Sequence, residues 1–114
     1  MNDRLKSAFR FCQARRVLRG DKPPGYLYAV ECQGFIKLGY ATNPKLRLAG
    51  MQTGNPFPIR LIAKFPSWDM CADEKALHSE FRQYRFSGEW HKLPTDLIAA
   101  LVARHDNLVG KHPA

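Results

Sequence analysis

The sequence predicts an α+β domain with a central, mainly antiparallel three-stranded sheet flanked by helices. Three segments, 26–31, 35–40 and 59–65, are short and rich in aromatic, β-branched or alternating apolar residues, which is typical of strands. Segments with apolar residues three and four positions apart lie around them and predict helices. The length of 114 residues suits one domain. The predicted order is β-β-α-β-α, with an additional N-terminal basic helix and a C-terminal helix.

Residues 1–22 are predicted to form a basic helical arm. Apolar residues at positions 5, 8, 9 and 12 have helical spacing, and DKPPG at 21–25 ends the helix because proline cannot continue it. Seven basic residues oppose two aspartates in this arm, and the whole chain has a net charge of +8. We therefore expect the arm to bind a polyanion, of which nucleic acid is the commonest, although a solvated helix face would carry similar charges. The expected DNA contacts are Arg10, Arg15, Arg16 and Arg19.

A β-hairpin and a helix come next. YLYAVE and FIKLGY flank the turn at 32–34, where glycine supplies the positive φ of a tight turn. Asn43 followed by Pro44 predicts a helix start, because a capping side chain before proline is typical of an N-terminus. This helix is expected to end near Gln52. A half-buried strand follows, with one face formed by Ile59, Leu61, Ala63 and Phe65.

Two helices complete the domain, which we place at 23–106 with a tail at 107–114. Ser67 or Asp69 can cap a helix over roughly 70–85, whose apolar stripe is Met70, Leu77, Phe81 and Tyr84. At about 100° per residue, Glu74, His78 and Arg85 fall on the edge of that stripe. A carboxylate there is held in place and still faces a cleft. The final helix begins at 94–96 and buries Leu97, Ile98, Leu101 and Val102.

A series of short motifs lies in order along residues 24–93. They are PGYLY at 24–28, KLG at 37–39, an arginine eight residues after Gly39, QTGNP at 52–56, EKALH at 74–78 and RFSGEW at 85–90. Together they resemble the GIY-YIG nuclease superfamily, in its phage- and bacterium-associated branch. The resemblance places Tyr28 at the tyrosine of the GIY element, and it places Lys37 where many members have the YIG tyrosine. It places Arg47 at the arginine of the family's helix and implies a GIY-YIG-like fold.

This resemblance implies a metal-dependent DNA endonuclease that hydrolyses phosphodiester bonds with one divalent cation, Mg²⁺ or Mn²⁺. Glu74 would hold the metal, Tyr28 would activate or position water, and Arg47 would neutralise the phosphate. Lys37 would bind phosphate as an ammonium or assist the base as a neutral amine. His78, one turn after Glu74, would be a catalytic helper or a ligand. Supporting roles fall to Tyr26, Tyr40, Arg85, Glu89 and Trp90.

Each of these residues also has an ordinary structural interpretation. Tyr28 would be a core tyrosine, and Lys37, Arg47 and Glu74 would be solvated surface charges. His78 would be a helix-surface partner of Glu74. Tyr40 offers a hydroxyl in place of the missing tyrosine, but strand alternation points it to the face opposite Lys37.

A catalytically weak or inactive DNA-binding module on the same scaffold is the second functional hypothesis. The joint presence of Tyr28, Arg47 and Glu74 favours the enzyme, because binding alone does not need a carboxylate beside phosphate. A zinc-binding domain is the third hypothesis, but the sequence lacks a C-x-x-C pair and lacks histidines spaced as zinc ligands.

Composition indicates the cellular setting. Three separated cysteines argue against a disulfide framework and for a reducing compartment. No apolar run approaches the ~18–20 residues of a membrane span, and the N-terminus does not resemble a secretory signal. We therefore expect a cytoplasmic protein that binds DNA and has no membrane contact. Since no second domain for base readout is evident, a protein partner or an oligomer is expected to supply specificity.

Overall fold

The computed structural model describes residues 19–111, with side chains as far as residue 103. The strands are β1 (Gly25–Cys32), β2 (Phe35–Ala41), β3 (Arg60–Ser67), β4 (Arg85–Ser87) and β5 (Trp90–His91). The helices are α1 (Pro44–Gln52), α2 (Met70–Glu80) and α3 (Thr95–Lys111). The described residues thus form an α+β fold, in which one antiparallel sheet has the order β3-β1-β2-β5-β4. The predicted arm lies outside the described residues except for its last positions.

The prediction of a three-stranded sheet is wrong in the number of strands. β1, β2 and β3 form as predicted, but β4 and β5 extend the described sheet beyond β2. They come from a segment that the sequence assigned partly to a helix over 70–85, whereas α2 ends at Glu80. A short 3₁₀ turn at Arg82–Tyr84 follows, and Gly88, with φ of 57°, then allows the two-residue turn that pairs β4 with β5. Arg85 therefore projects from a strand and not from the edge of a helix.

The helix starts follow local capping chemistry. Asn43 caps α1, because its Oδ1 accepts a hydrogen bond of 3.1 Å from the Leu46 amide, and Pro44 occupies the first helical position. Asp69 caps α2 in the same way through the Ala72 amide at 3.3 Å. Ser67, the alternative cap, instead donates its hydroxyl to Asp73.

The inward face of β3 changes along the strand. A register shift opposite Ala29 and Val30 interrupts its pairing with β1. Ala63 pairs with Ala29 on one face, whereas Leu61 pairs with Val30 on the other. The prediction that Ile59, Leu61, Ala63 and Phe65 share one face is therefore wrong, because a bulge reverses the alternation between Leu61 and Ala63. Ile59 and Leu61 instead join the core on the opposite side of the sheet.

The sheet carries a core on each face. On one face α2 and α3 cover the larger core, to which β1 contributes Leu27 and Ala29. On the other face α1 covers a smaller core that contains Tyr28 and Val30. α3 buries Leu97 and Leu101 completely and extends past the predicted end at residue 106 to Lys111. None of the helices in the described part of the chain combines the length and apolarity that a membrane crossing requires.

Candidate functional site

Strand register places two of the predicted site residues on one face of the sheet. Tyr28 pairs with Gly39 and Val30 pairs with Lys37, so Tyr28 and Lys37 lie on the same side, as their parity predicts. Tyr40 pairs with Leu27 and packs against the core on the other side. The Tyr28 ring crosses Gly39, since a Cβ at position 39 would lie 2.5 Å from the tyrosine hydroxyl oxygen. The hydroxyl is thereby directed past β2.

Cationic side chains from α1 and β2 lie on the Tyr28 face of the sheet. α1 packs on the Tyr28 face through Leu48 and Met51, and Arg47 on the same helix lies near enough to Tyr28 for its positive charge to lower the pKa of the hydroxyl. The Lys37 ammonium donates to the Met51 sulfur at 3.5 Å and lies 3.9 Å from a Glu89 carboxylate oxygen. The Lys37 side chain is only 22% exposed. The Tyr28 face of the sheet therefore carries two positive charges held by different elements.

The backbone of Leu38 anchors the other side of the site. β5 pairs with β2 at Ile36 and Lys37. The N–H and C=O groups of the next residue, Leu38, instead form hydrogen bonds with the β4–β5 turn and with a side chain of α2. The Leu38 amide donates to the Glu89 carbonyl at 3.2 Å. The His78 Nε2 lies 2.9 Å from the Leu38 carbonyl, to which it must donate because a carbonyl only accepts. One backbone residue thus holds both α2 and the β4–β5 turn.

Three potential metal ligands meet at this point. The ligand atoms of Glu74, His78 and Glu89 all lie within 4.8 Å of one another. Glu74 and His78 are separated by one turn of α2, whereas Glu89 comes from the β4–β5 turn. Carboxylate oxygens and an imidazole nitrogen form a donor set that fits a divalent cation. No other such group exists among the described residues.

The surroundings raise the pKa of two acidic groups in the site. Burial raises the pKa of Tyr28, and the Glu89 charge raises it further, while the positive charge of Arg47 opposes both. Burial and the Glu89 carboxylate also raise the pKa of Glu74, against the opposing effect of His78. At neutral pH the Tyr28 hydroxyl therefore keeps its proton and acts as a hydrogen-bond donor.

His91 is a buried residue beside the site that the sequence did not single out as functional. It is fully buried, and its Nδ1 donates to the Glu89 carbonyl at 2.8 Å. Its ring centre lies 5.2 Å from that of His78. Burial lowers its pKa. With its pKa lowered by burial, His91 is neutral at neutral pH, and its Nδ1–H supports the turn that carries Glu89.

The supporting residues are dispersed around this centre. Tyr40 lies with its hydroxyl 3.7 Å from the Cys71 sulfur, and this hydrogen bond raises the pKa of Tyr40. Tyr26 stacks under the Lys64 ammonium, 4.9 Å from the ring centre. Arg85 is exposed and donates to the Gly88 carbonyl at 3.0 Å. Trp90 packs against the smaller core.

Of the predicted DNA-binding arginines, the structure describes one position. Arg19 is exposed and forms an ion pair of 2.8 Å with Asp21. Arg10, Arg15 and Arg16 lie outside the described residues.

The structure adds basic residues that the sequence did not single out. Lys75 and Arg82 line an open cleft of about 500 Å³ together with Arg85 and the three potential metal ligands. Arg82 and Arg85 are three residues apart, but they reach the same cleft from different elements, the 3₁₀ turn and β4. The sequence predicts a continuous helix over 70–85, so it does not indicate that Arg82 and Arg85 line one cleft.

Comparison with known proteins identifies the family. Residues 25–106 match the T5orf172 domain, a span that includes all the strands described above, α1, α2 and most of α3. No curated protein and no solved structure gives a significant match. The family match covers well over half of the chain and contains Tyr28, Arg47 and the three potential metal ligands. The chain belongs to the T5orf172 domain family, a phage-associated family related to nuclease-like folds.

Proposed function

We propose that this protein is a metal-dependent endonuclease of the GIY-YIG type that hydrolyses phosphodiester bonds in DNA. The observation that carries the proposal is the proximity of Arg47 on α1 and Glu74 on α2 to Tyr28 on β1, close enough for both charges to act on the pKa of the Tyr28 hydroxyl. Phosphoryl transfer requires an oriented nucleophile, a cation that neutralises developing charge and a metal ligand. These three side chains offer one group for each requirement.

In this mechanism Arg47 neutralises the phosphate. Its planar guanidinium can grip two phosphate oxygens, and its positive charge acts on the neighbouring Tyr28 hydroxyl. Lys37 adds a second positive charge from β2. Both charges would act on the developing negative charge in a partly desolvated site, where such interactions are stronger than in water.

Tyr28 orients the water nucleophile. Because burial raises its pKa, the hydroxyl keeps its proton and directs a lone pair or its O–H at the attacking water instead of removing a proton from it. Glu74 would hold Mg²⁺ or Mn²⁺. A bound cation would supply Lewis-acid stabilisation of a phosphate oxygen and lower the pKa of a water molecule.

DNA would reach the cleft along a basic rim. Lys75, Arg82 and Arg85 are exposed around the cleft and can contact phosphates on either side of the reacting one. Such contacts carry no sequence information, so we infer that a protein partner or an oligomer supplies specificity. The expected setting is the cytoplasm, where the protein would meet DNA in a reducing environment.

A DNA-binding module without catalytic activity is the second candidate. Lys37 favours it, because this residue takes the place of a tyrosine and contacts Met51 and Glu89, so the position offers no hydroxyl. Under this alternative Tyr28, Arg47 and Lys37 bind phosphate and Glu74 has no chemical role.

Plasmid nicking distinguishes the two candidates. The wild-type protein is expected to convert supercoiled plasmid to open circles with Mg²⁺ or Mn²⁺ and to lose this activity with EDTA. Glu74→Ala should abolish nicking but preserve the thermal melt and DNA affinity. Glu80→Ala, on the same helix and outside the cluster, is the matched control. Wild-type protein that binds DNA without nicking it under either cation would refute the endonuclease and favour the binding module.

A further inference from the structure

We propose that His78 and Glu89 are metal ligands together with Glu74, and that this three-ligand site prefers a first-row transition-metal cation such as Mn²⁺ to Mg²⁺. The inference rests on the proposed function, since it identifies the cation of the same cleft. It assigns His78 to metal binding and not to proton transfer.

The spacing of the donor atoms suits one ion. Ligands bind divalent cations at about 2.0–2.6 Å, so two ligands on opposite sides of one ion are separated by about 4–5 Å. The ligand atoms of Glu74, His78 and Glu89 lie within 4.8 Å of one another. One cation can therefore bridge all three without a rearrangement of the backbone.

His78 is oriented as metal-bound histidines are. Its Nε2 donates to the Leu38 carbonyl at 2.9 Å, which fixes the ring and leaves Nδ1 with the lone pair. Ligating histidines almost always donate their other ring N–H to a carbonyl or carboxylate, which holds the tautomer and raises the basicity of the ligand. The bond to Leu38 has no need of the metal and so prepares the site before the ion binds.

Glu89 lies in the β4–β5 turn, which hydrogen-bonds to Leu38, the same residue that accepts from His78. Its carbonyl accepts from the Leu38 amide at 3.2 Å and from His91 Nδ1 at 2.8 Å. Its carboxylate remains 44% exposed, and its oxygen lies 3.9 Å from the Lys37 ammonium, which is longer than a hydrogen bond. The backbone of Glu89 is thus fixed while its side chain is free to bind an ion.

The donor set separates the two classes of cation. Mg²⁺ takes oxygen ligands, keeps several waters and is usually held by one or two carboxylates. An imidazole nitrogen adds little for Mg²⁺ but binds first-row transition metals well. Two carboxylates with one imidazole therefore favour Mn²⁺ over Mg²⁺, and His78 should account for the difference.

Direct metal binding tests the inference without reference to cleavage. The full-length protein is titrated with MnCl₂, the free Mn²⁺ is followed by electron paramagnetic resonance, and MgCl₂ is then added as a competitor. We expect one Mn²⁺ site, from which Mg²⁺ displaces the ion only at a concentration at least about tenfold higher. Since loss of a second-shell partner alone typically costs about 10–100-fold in affinity, loss of a ligand should cost at least about tenfold.

Variants assign the ligands. His78→Gln should weaken Mn²⁺ binding by at least about tenfold and Mg²⁺ binding much less, whereas Glu89→Gln should weaken both. Glu80→Gln is the control on the same helix and should bind Mn²⁺ as the wild type does. Thermal melts check folding, and Glu89→Gln remains informative if His78→Gln is destabilised by the loss of its bond to Leu38.

The outcomes separate this inference from the proposed function. Folded His78→Gln and Glu89→Gln proteins with wild-type Mn²⁺ affinity would overturn the inference, even if the wild type nicks DNA with Mg²⁺. Equal competition by Mg²⁺ would overturn the claimed preference. A wild-type protein that binds Mn²⁺ through His78 and Glu89 but never nicks DNA would support the inference and refute the endonuclease.

Discussion

The ring of Tyr28 lies across Gly39, the residue paired with it on β2, so closely that a Cβ at position 39 would be 2.5 Å from the hydroxyl oxygen. Real Cβ atoms do not approach other atoms this closely. Gly39 is therefore needed for space and not for an unusual backbone conformation. This close approach lets a buried tyrosine extend its hydroxyl past the strand to Arg47.

Gly39→Ala should displace the Tyr28 hydroxyl from the site. The methyl group forces the ring to shift, and a displacement of about 1 Å at a reacting group can lower the rate by about 10²-fold. Overpacking of this kind typically costs about 1–3 kcal/mol of unfolding free energy. Plasmid nicking and urea denaturation measure the two effects on the same preparation.

Gly50→Ala is the matched control for this substitution. A Cβ at position 50 meets no atom within 4 Å, and alanine favours the helix by about 0.5–1 kcal/mol. It should therefore preserve nicking and slightly raise stability. A Gly39→Ala protein that nicks DNA as fast as Gly50→Ala would show that the position of Tyr28 does not matter.

Much of the fold was predictable because its signals are local. A capping residue before proline identified α1, and the glycine turn with aromatic and β-branched flanks identified the β1–β2 hairpin. β4 and β5 were missed because strands of three and two residues have no measurable periodicity. The apolar stripe of α2 also continues past its true end to Phe81 and Tyr84, which pack on the same core from positions outside α2.

Part of the site was also predictable from local sequence patterns, and part of it was not. Parity placed Tyr28 and Lys37 on one face, because the two residues lie on strands joined by a tight turn. Glu89 had no assignable role, since its position depends on a β4–β5 turn that the sequence did not reveal. The partner of His78 is a backbone carbonyl 40 residues away, and a main-chain group leaves no mark in a sequence.

Ser67→Ala should destabilise the fold in a pH-dependent way. The fully buried Ser67 hydroxyl donates to the Asp73 carboxylate, and its removal leaves that buried carboxylate without this donor at a cost of about 1–3 kcal/mol. Burial raises the pKa of Asp73, while the Ser67 hydrogen bond lowers it. Urea denaturation at several pH values measures the loss.

The sign of the pH effect follows from that pKa. Because the folded pKa of Asp73 lies above the unfolded value, its ionisation costs stability as pH rises through this range. Ser67→Ala raises the folded pKa further, so the difference from wild type should be largest at neutral pH and shrink as pH falls through the raised folded pKa and the carboxyl is protonated. The exposed Ser79→Ala should stay within about 0.5 kcal/mol throughout. A loss for Ser67→Ala that is equal at both ends of the range would contradict this account.

The N-terminal arm should supply part of the salt dependence of DNA binding. Each phosphate neutralised adds about −0.9 to the slope of log affinity against log salt on duplex DNA. Replacing Arg10, Arg15 and Arg16 together by glutamine should therefore make the slope shallower by up to about 2.7. Fluorescence anisotropy at several salt concentrations measures it, with a thermal melt to check the fold.

Arg60→Gln is the control for the arm. Arg60 is exposed and forms an ion pair of 2.9 Å with Glu31 on β1, away from the cleft. Arg60→Gln should leave the slope of log affinity against log salt unchanged. An unchanged slope in the folded triple variant would remove the arm from the DNA interface.

Under the proposed function, Arg47 would stabilise charge during the reaction and would contribute little to the fold. Its side chain is exposed on α1 and contacts Tyr28, while Leu48 and Met51 make the packing contacts of the helix. An interaction that is stronger in the transition state than in the ground state raises turnover without a matching gain in substrate affinity. Truncation of Arg47 should therefore lower turnover much more than it lowers DNA affinity.

Arg47→Ala should lower turnover by about 10²–10³-fold, the usual effect of removing one preorganised charge-stabilising donor, and should change DNA affinity only a few-fold. Arg47→Lys should recover part of the loss, since an ammonium keeps the charge but lacks the planar fork that binds two phosphate oxygens. Lys45→Ala, another exposed cation of α1, controls for the general loss of positive charge and should retain turnover. Single-turnover cleavage and anisotropy titrations measure the two quantities separately. If the whole defect of Arg47→Ala lies in weaker binding, Arg47 is a phosphate anchor and the DNA-binding module becomes the better description.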